Sequence, residues 1–377
     1  MVLRPDAAAD GAGAPFIRPR ALWSEAIRAV LCLLPMLLAD LLDKGSYIGP
    51  LGQAGFFVSA MFLPRTIDAR LNLFLILMTL GGGLYLLGGN VVATPWLALV
   101  FIVMVGVMVS FMTAWEYGSM LALGLTVIFC AGINSGSVER AATNFRLYVF
   151  GVLWGGAVTL LPIWRYVPEQ PKPRLTQVEY AEQGTRLGLG AAAALGIAYL
   201  FGFAKLGWAP SAVGNVVRYE HRVSRSKAIG RAVGTLIGGA IALGIMLVFD
   251  KTRVFVLFAV AFTALNAVFK ATEVSGLPLV SVPFLQTVAI LLMLSADRPH
   301  LGTGLTAARV GTNELGIVIG LLIVFYPLPL IMKLVRRIHA SGPILPERLE
   351  DDREPTEELP ETRGAGDEAP PATERNR

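Results

Sequence analysis

The sequence predicts an all-α fold: a polytopic membrane protein of about twelve transmembrane helices, each needing about 20 mostly apolar residues, in two parallel six-helix repeats. Three observations lead there. Of 377 residues, 54% are hydrophobic and only 16% charged, against roughly 25% charged in soluble domains. The apolar residues form long continuous runs rather than alternating ones, which favours helices over a transmembrane barrel. The basic residues fall mainly between the runs, where they set orientation, so the net charge of +5 is not read as nucleic-acid binding.

Residues 1–20 carry Arg4, Arg18 and Arg20 and are expected to be a disordered arm without a cleavable signal peptide. Trp23 is an expected interface anchor. The first repeat, residues 21–165, has expected spans at 27–42 (with Pro35 and Asp40), 47–63, 71–87 (with Gly81 and Gly82), 96–114, 119–133 and 147–164. Residues 166–183 form a Pro-rich cytoplasmic linker. The second repeat, residues 184–337, has spans at 187–203, 206–217, 228–249, 254–269, 277–294 and 310–332. The span at 206–217 is short for a full crossing, which wants about 17 residues or more. Residues 338–377 are rich in Glu, Pro and Asp and read as a disordered tail. Lys and Arg concentrate in alternate loops, as expected if both termini are cytoplasmic.

Within the second repeat, Arg218, Arg222, Arg225, Lys227 and Arg231 precede a charge-free run. Gly234 and Gly238 lie on one helix face with Thr235 beside them, a pattern that lets another helix approach closely in lipid. Arg309, Asn313 and Gly316 repeat the spacing of Arg231, Thr235 and Gly238. The halves match in order: Arg28 and Arg186 open them, Thr79-Leu80-Gly81-Gly82 lies where Thr235-Leu236-Ile237-Gly238 lies, and Arg146 and Arg309 precede the last spans. Transporters are often built from such repeats.

Two hydrophobic halves and the Arg-x-x-Gly-Thr-x-x-Gly string from Arg231 to Gly238 resemble the fusaric acid resistance protein and aromatic acid exporter superfamily. The resemblance covers roughly residues 20–335 and is weakest in the first half. It implies an inner-membrane exporter driven by the proton gradient, in several relatives working with a periplasmic membrane-fusion (adaptor) protein. Many relatives carry a sizeable soluble domain, for which this chain has only its linker.

Ionisable groups inside spans are costly and need a reason. Glu314 is read either as a proton-carrying carboxylate or as an interfacial residue, and Asp40 likewise. Lys270 and Glu273 stand at ion-pair spacing. Asn266 and Gln286 are either hydrogen-bond groups for a substrate or interhelical glue. The pathway candidates are therefore Arg231, Thr235, Asn266, Gln286, Arg309, Asn313, Glu314 and Asp40; the helix-packing candidates are Gly81, Gly82, Gly234, Gly238 and Gly316. His221, His300 and His339 stand at no metal-ligand spacing, Cys32 and Cys130 sit in apolar runs, and no phosphate-binding loop is present. No cofactor, metal or enzymatic activity is expected.

The leading expectation is an efflux carrier of small aromatic or amphipathic organic acids, its partners being the lipid bilayer, that substrate, an adaptor protein and further copies of the chain. The alternatives are a carrier or facilitator of another solute and a non-transporting subunit that anchors a partner.

Overall fold

In the computed structural model, the described residues are 19–61, 66–112, 118–161, 163–164, 175–219, 221–271, 278–296 and 302–325. No strand occurs among them. Where the expected spans fall on described residues, those residues are mainly helical.

The first span is two helices, α1 (Pro19–Cys32) and α2 (Leu34–Leu41), bent by 43°. Pro35 lies in the first turn of α2, where the missing N–H costs nothing but forces the axis to restart. Helix α3 (Gly45–Ser59) contains Pro50. Thr66 caps α4 (Ile67–Ile76) by accepting from the Ala69 N–H at 3.3 Å. A five-residue π-helical turn, Leu77–Gly81, joins α4 to α5 (Gly82–Val91). Then come α6 (Pro95–Met112), α7 (Gly118–Asn134) and α8 (Val138–Leu160).

Several boundaries differ from the sequence reading, and capping explains two of them. Ser137 caps α8 through the Arg140 N–H, so most of the expected polar loop at 134–144 is helical. Thr176 and Glu179 form a reciprocal capping box that starts α9 (Gln177–Leu200) ten residues before the expected span. Helix α10 (Trp208–Val216) is short, as expected. Helix α11 (His221–Val248) carries Arg222, Arg225, Lys227 and Arg231 of the basic cluster, leaving Arg218 before it. Helices α12 (Thr252–Ala271) and α13 (Pro278–Ser295) follow. Helix α14 begins at Gly302, ends at Phe325 and so contains Arg309. The remainder of the twelfth expected span, residues 326–332, the linker residues 165–174 and both terminal arms lie outside the described residues.

Among the described residues, five stretches are long and apolar enough to cross a bilayer: Ile67–Val91, Pro95–Met112, Val223–Val248, Thr252–Lys270 and Gly302–Phe325. The bent pair α1–α2 makes a sixth. Leu75, Met104, Leu236, Leu257 and Leu322 point outward from these stretches, as lipid-facing side chains must. The chain is an all-helical membrane protein.

Packing is the same on the two sides of the molecule. Helix α3 packs on α8 as α10 packs on α14, and α5 on α7 as α11 on α13. The fourth helix of each set crosses over: α6 packs on α9, and α12 on α1. The α6–α9 crossing is close because a Cβ on Gly106 would stand 2.6 Å from the Gly188 Cα. The hydrophobic cores follow this crossing, since one cluster joins Val105 and Leu125 to Leu187 and Ala194. Glycine contacts fix a common register. Gly151 and Gly155 of α8 meet Ala54 and Val58 of α3, as Gly316 and Gly320 of α14 meet Ala212 and Val216 of α10.

Candidate functional site

A cavity of about 140 Å3 opens where these packed pairs meet. One wall comes from α3, α5, α7 and α8, with Gln53, Phe57, Tyr85, Asn134 and Tyr148. The other comes from α10, α11 and α14, with Trp208, Ser211, Asn215, Arg231 and Arg309. Among the described residues no carboxylate lines it.

The cationic wall is built by three helices. Arg231 is ten residues past His221, so at about 1.5 Å per residue it lies roughly 15 Å along α11. It therefore lies deeper in its helix than the expected span, which starts at residue 228, places it. Its Nε donates to Asn313 Oδ1 at 3.3 Å. Asn313 Nδ2 in turn donates to Thr235 Oγ1 at 2.6 Å. This chain of bonds ties α14 to α11 and fixes the orientation of the Arg231 side chain. Arg309, one helical turn before Asn313, is 7% exposed, and its Nε has no hydrogen-bond partner. Its guanidinium carbon lies 4.9 Å from the centre of the Trp208 ring, a cation–π contact. Neither guanidinium forms an ion pair among the described residues. An arginine at mid-span costs roughly 2.5–3.5 kcal/mol on insertion scales, so two such residues lining one cavity make it strongly attractive to an anion.

The start of α10 faces the same space. Gly207 and Trp208, at its N-terminus, both line the cavity. The Gly207 N–H donates to Asn134 Oδ1 at 2.7 Å, and the Lys205 ammonium donates to the Asn134 carbonyl. Asn134 thereby joins the C-terminal end of α7 to the start of α10. At the far end of α10, Arg218 donates to the Gly214 carbonyl at 3.0 Å. Burial lowers the Arg218 pKa to about 10.

On the opposite wall Tyr85 and Tyr148 stack with ring centres 5.3 Å apart. The Tyr85 hydroxyl is 3.2 Å from Ser135 Oγ. Tyr148 donates to the Leu77 carbonyl in the π-helical turn at 3.5 Å. In the glycine register Tyr148 stands where Asn313 stands on the cationic wall, and Asn144 stands where Arg309 does. Arg146, expected as the counterpart of Arg309, is exposed instead.

The other candidates divide. Thr235, Asn313 and Glu314 lie directly behind the cationic wall. Glu314 Oε1 is buried without a hydrogen-bond partner, and Arg231 is the charge that acts on it. Gln286 of α13 is one turn from Ile290, which lines the cavity, but does not line it itself. Asn266 is buried in α12 with its Oδ1 unpartnered, and is not among the lining residues. Asp40 is buried near the end of α2 and is also not a lining residue; the neighbouring Asp43 pairs with Arg253 at 3.6 Å on the surface. Lys270 donates to the Ala60 carbonyl, while its expected partner Glu273 lies outside the described residues. The cavity residues Gln53, Tyr85, Tyr148 and Trp208 were not singled out from the sequence. They are isolated polar or aromatic residues in apolar runs, and only the helix crossings bring them together.

The packing glycines are all at close crossings. A Cβ on Gly234 or Gly238 would meet the α13 backbone at 2.6 Å or 2.7 Å. On Gly81 it would stand 3.0 Å from the Tyr148 hydroxyl, on Gly82 3.1 Å from Phe145, and on Gly316 2.2 Å from the Ala209 carbonyl oxygen. No group of three or more His, Cys, Asp or Glu that could hold a metal occurs among the described residues.

An all-helical membrane protein with a guanidinium-lined interior cavity is the class that fold and site define. Residues 192–323 match the family model described as fusaric acid resistance protein-like. The match spans the segment that supplies Trp208, Arg231, Arg309, Asn313 and Glu314. No curated protein and no solved structure matches the chain.

Proposed function

We propose that the protein is an inner-membrane efflux carrier of small aromatic or amphipathic organic acids, coupled to the proton gradient. The observation that carries this reading is the pair of guanidiniums, Arg231 and Arg309, lining one cavity without ion-pair partners among the described residues. Their charge would hold a carboxylate, and the N-terminal end of α10 adds its positive dipole. Phe57, Tyr85, Tyr148 and Trp208 offer apolar and aromatic surface to the rest of the molecule.

Glu314 is the proposed proton carrier. It lies next in the chain to Asn313, which binds Arg231, so its charge state acts on the same cationic wall. A proton on Glu314 strengthens the hold of Arg231 on an anion, and its loss weakens that hold. The repeated packing and the crossed α6–α9 and α12–α1 pairs support reading the chain as two duplicated halves in parallel orientation, and the Lys and Arg of alternate loops put both termini in the cytoplasm in this proposal. The cavity is then the seam between the halves, and rocking of one half against the other is the proposed transport motion. A periplasmic adaptor and self-association complete the proposed assembly.

The test is flux in proteoliposomes. An imposed pH gradient should drive movement of benzoate above the rate of protein-free liposomes, and a protonophore should abolish the excess. Glu314→Gln should lose the gradient dependence while retaining exchange of labelled for unlabelled benzoate. If no organic acid moves faster than through protein-free liposomes, the transport reading is wrong.

A further inference from the structure

We infer that the cavity selects a single-ring aromatic dianion, a benzene dicarboxylate or its chemical equivalent, over the corresponding monoanion. This rests on the organic-acid reading and narrows it. Two features of the site set the selection: its charge and its size.

The charge argument begins with the lining residues. Arg231 and Arg309 both face the cavity, and among the described residues no aspartate or glutamate lines it. Arg231 keeps one guanidinium N–H on Asn313, and Arg309 lies against the Trp208 face with its Nε unpartnered. The two cations come from different helices, α11 and α14, which the Asn313–Thr235 bond holds together. While Glu314, the carboxyl that acts on Arg231 from behind the wall, is protonated, a monocarboxylate neutralises one of them and leaves the other buried with no counter-charge. A dicarboxylate compensates both, and each guanidinium can present two parallel N–H groups to a carboxylate. Gln53, Asn134 and Asn215, also in the lining, are uncharged and compensate neither cation.

The size argument is volumetric. The cavity holds about 140 Å3, and an apolar protein cavity of about 150 Å3 accepts one benzene ring. The ring alone therefore fills this volume, so the carboxylates must lie at its guanidinium-lined edge, and a fused pair of rings does not fit. The stacked Tyr85 and Tyr148 rings, with Phe57, give that ring its apolar wall.

The experiment is calorimetric titration of the purified full-length protein in lipid nanodiscs at pH 7.5. The probes are isophthalate, benzoate, naphthalene-2,6-dicarboxylate and sulfate. Isophthalate should bind at least tenfold more tightly than benzoate, and more tightly than the other two. Arg309→Gln and Arg231→Gln should each bring the isophthalate-to-benzoate ratio to within about threefold of one. Equal binding of isophthalate and benzoate by the unmodified protein overturns the charge selection and leaves the organic-acid reading standing. Naphthalene dicarboxylate binding as tightly as isophthalate overturns the size limit, and sulfate doing so overturns the role of the ring. If neither isophthalate nor benzoate binds, the selection and the reading beneath it both fail. The wild-type comparison decides the matter even if a variant does not fold.

Discussion

Gly316 and Gly320 lie one turn apart on α14, and both face α10, yet the structure separates them sharply. A Cβ on Gly316 would stand 2.2 Å from the Ala209 carbonyl oxygen and 2.8 Å from the Ala212 Cβ. On Gly320 the nearest atoms, in Val216 and Val217, are 3.6 Å away, an ordinary contact. Alanine at either site gains about 0.8–1.0 kcal/mol of helix propensity. At Gly316 the gain is opposed by overpacking against backbone, which costs about 1–3 kcal/mol. Gly320→Ala should therefore stabilise by up to about 1 kcal/mol, while Gly316→Ala should end about 1–3 kcal/mol less stable than Gly320→Ala. The assay is equilibrium unfolding of the purified protein from mixed micelles by a denaturing detergent, with both variants measured alongside the parent. Because α10 carries Trp208 under the Arg309 guanidinium, Gly316→Ala should also weaken organic-acid binding. If Gly316→Ala stabilises as much as Gly320→Ala, α10 and α14 are not packed as described, and the geometry of the cationic wall fails with them.

Three further outcomes follow from named contacts. In a double-mutant cycle, Asn313→Ala and Thr235→Val should show a coupling energy of about 0.6 kcal/mol, the average for interhelical hydrogen bonds in membranes, and no more than about 1.7; strict additivity would mean that the bond is not made. Arg28 is 1% exposed, pairs with Glu25 and donates to the Ser59 and Met61 carbonyls at the end of α3. Arg28→Ala strands the buried Glu25 charge, which should cost about 3–5 kcal/mol and sharply reduce the folded yield seen by size-exclusion chromatography; a normal yield with unchanged unfolding would rule that pairing out. The Thr176 N–H donates to Glu179 Oε2 at 2.7 Å, and this bond holds the Glu179 carboxyl below the usual carboxylate range. A depressed folded value means that the stabilisation is present above the unfolded pKa and lost as pH falls through the folded one. Hydrogen exchange in the first turn of α9 should therefore accelerate, relative to intrinsic rates, on acidification below about pH 4.5, near the reference value for glutamate, and Glu179→Gln should remove that dependence.

Much of the helical order was legible because length and apolarity alone mark a stretch that must satisfy its own backbone in lipid. The helix ends were less legible. Ser137 and Thr176 start helices inside segments that composition assigns to loops, and the charged residues 222–231 are carried on α11 itself. The cationic side of the site was readable because Arg231, Arg309 and Asn313 are unusual in such runs and share a helical spacing. The facing wall was not readable. Tyr85, Tyr148 and Gln53 look like ordinary residues of apolar helices, and they become a wall only through the crossings of α3, α5, α7 and α8 with α10 and α14. The same blindness applies to Asn266. It is as polar as Asn313 and as deeply buried, yet its helix packs against α1 and α13, so it does not reach the cavity lining.

The most direct test asks whether cargo passes through the cavity between the halves. Asn215 lines it and is only half-buried, so Asn215→Cys, in a chain with Cys32 and Cys130 replaced by alanine, places one reactive thiol there. Labelling that thiol with a bulky maleimide in proteoliposomes should abolish pH-gradient-driven organic-acid flux relative to the same unlabelled variant, and saturating isophthalate should slow the labelling. Full flux after complete labelling would show that the route lies elsewhere.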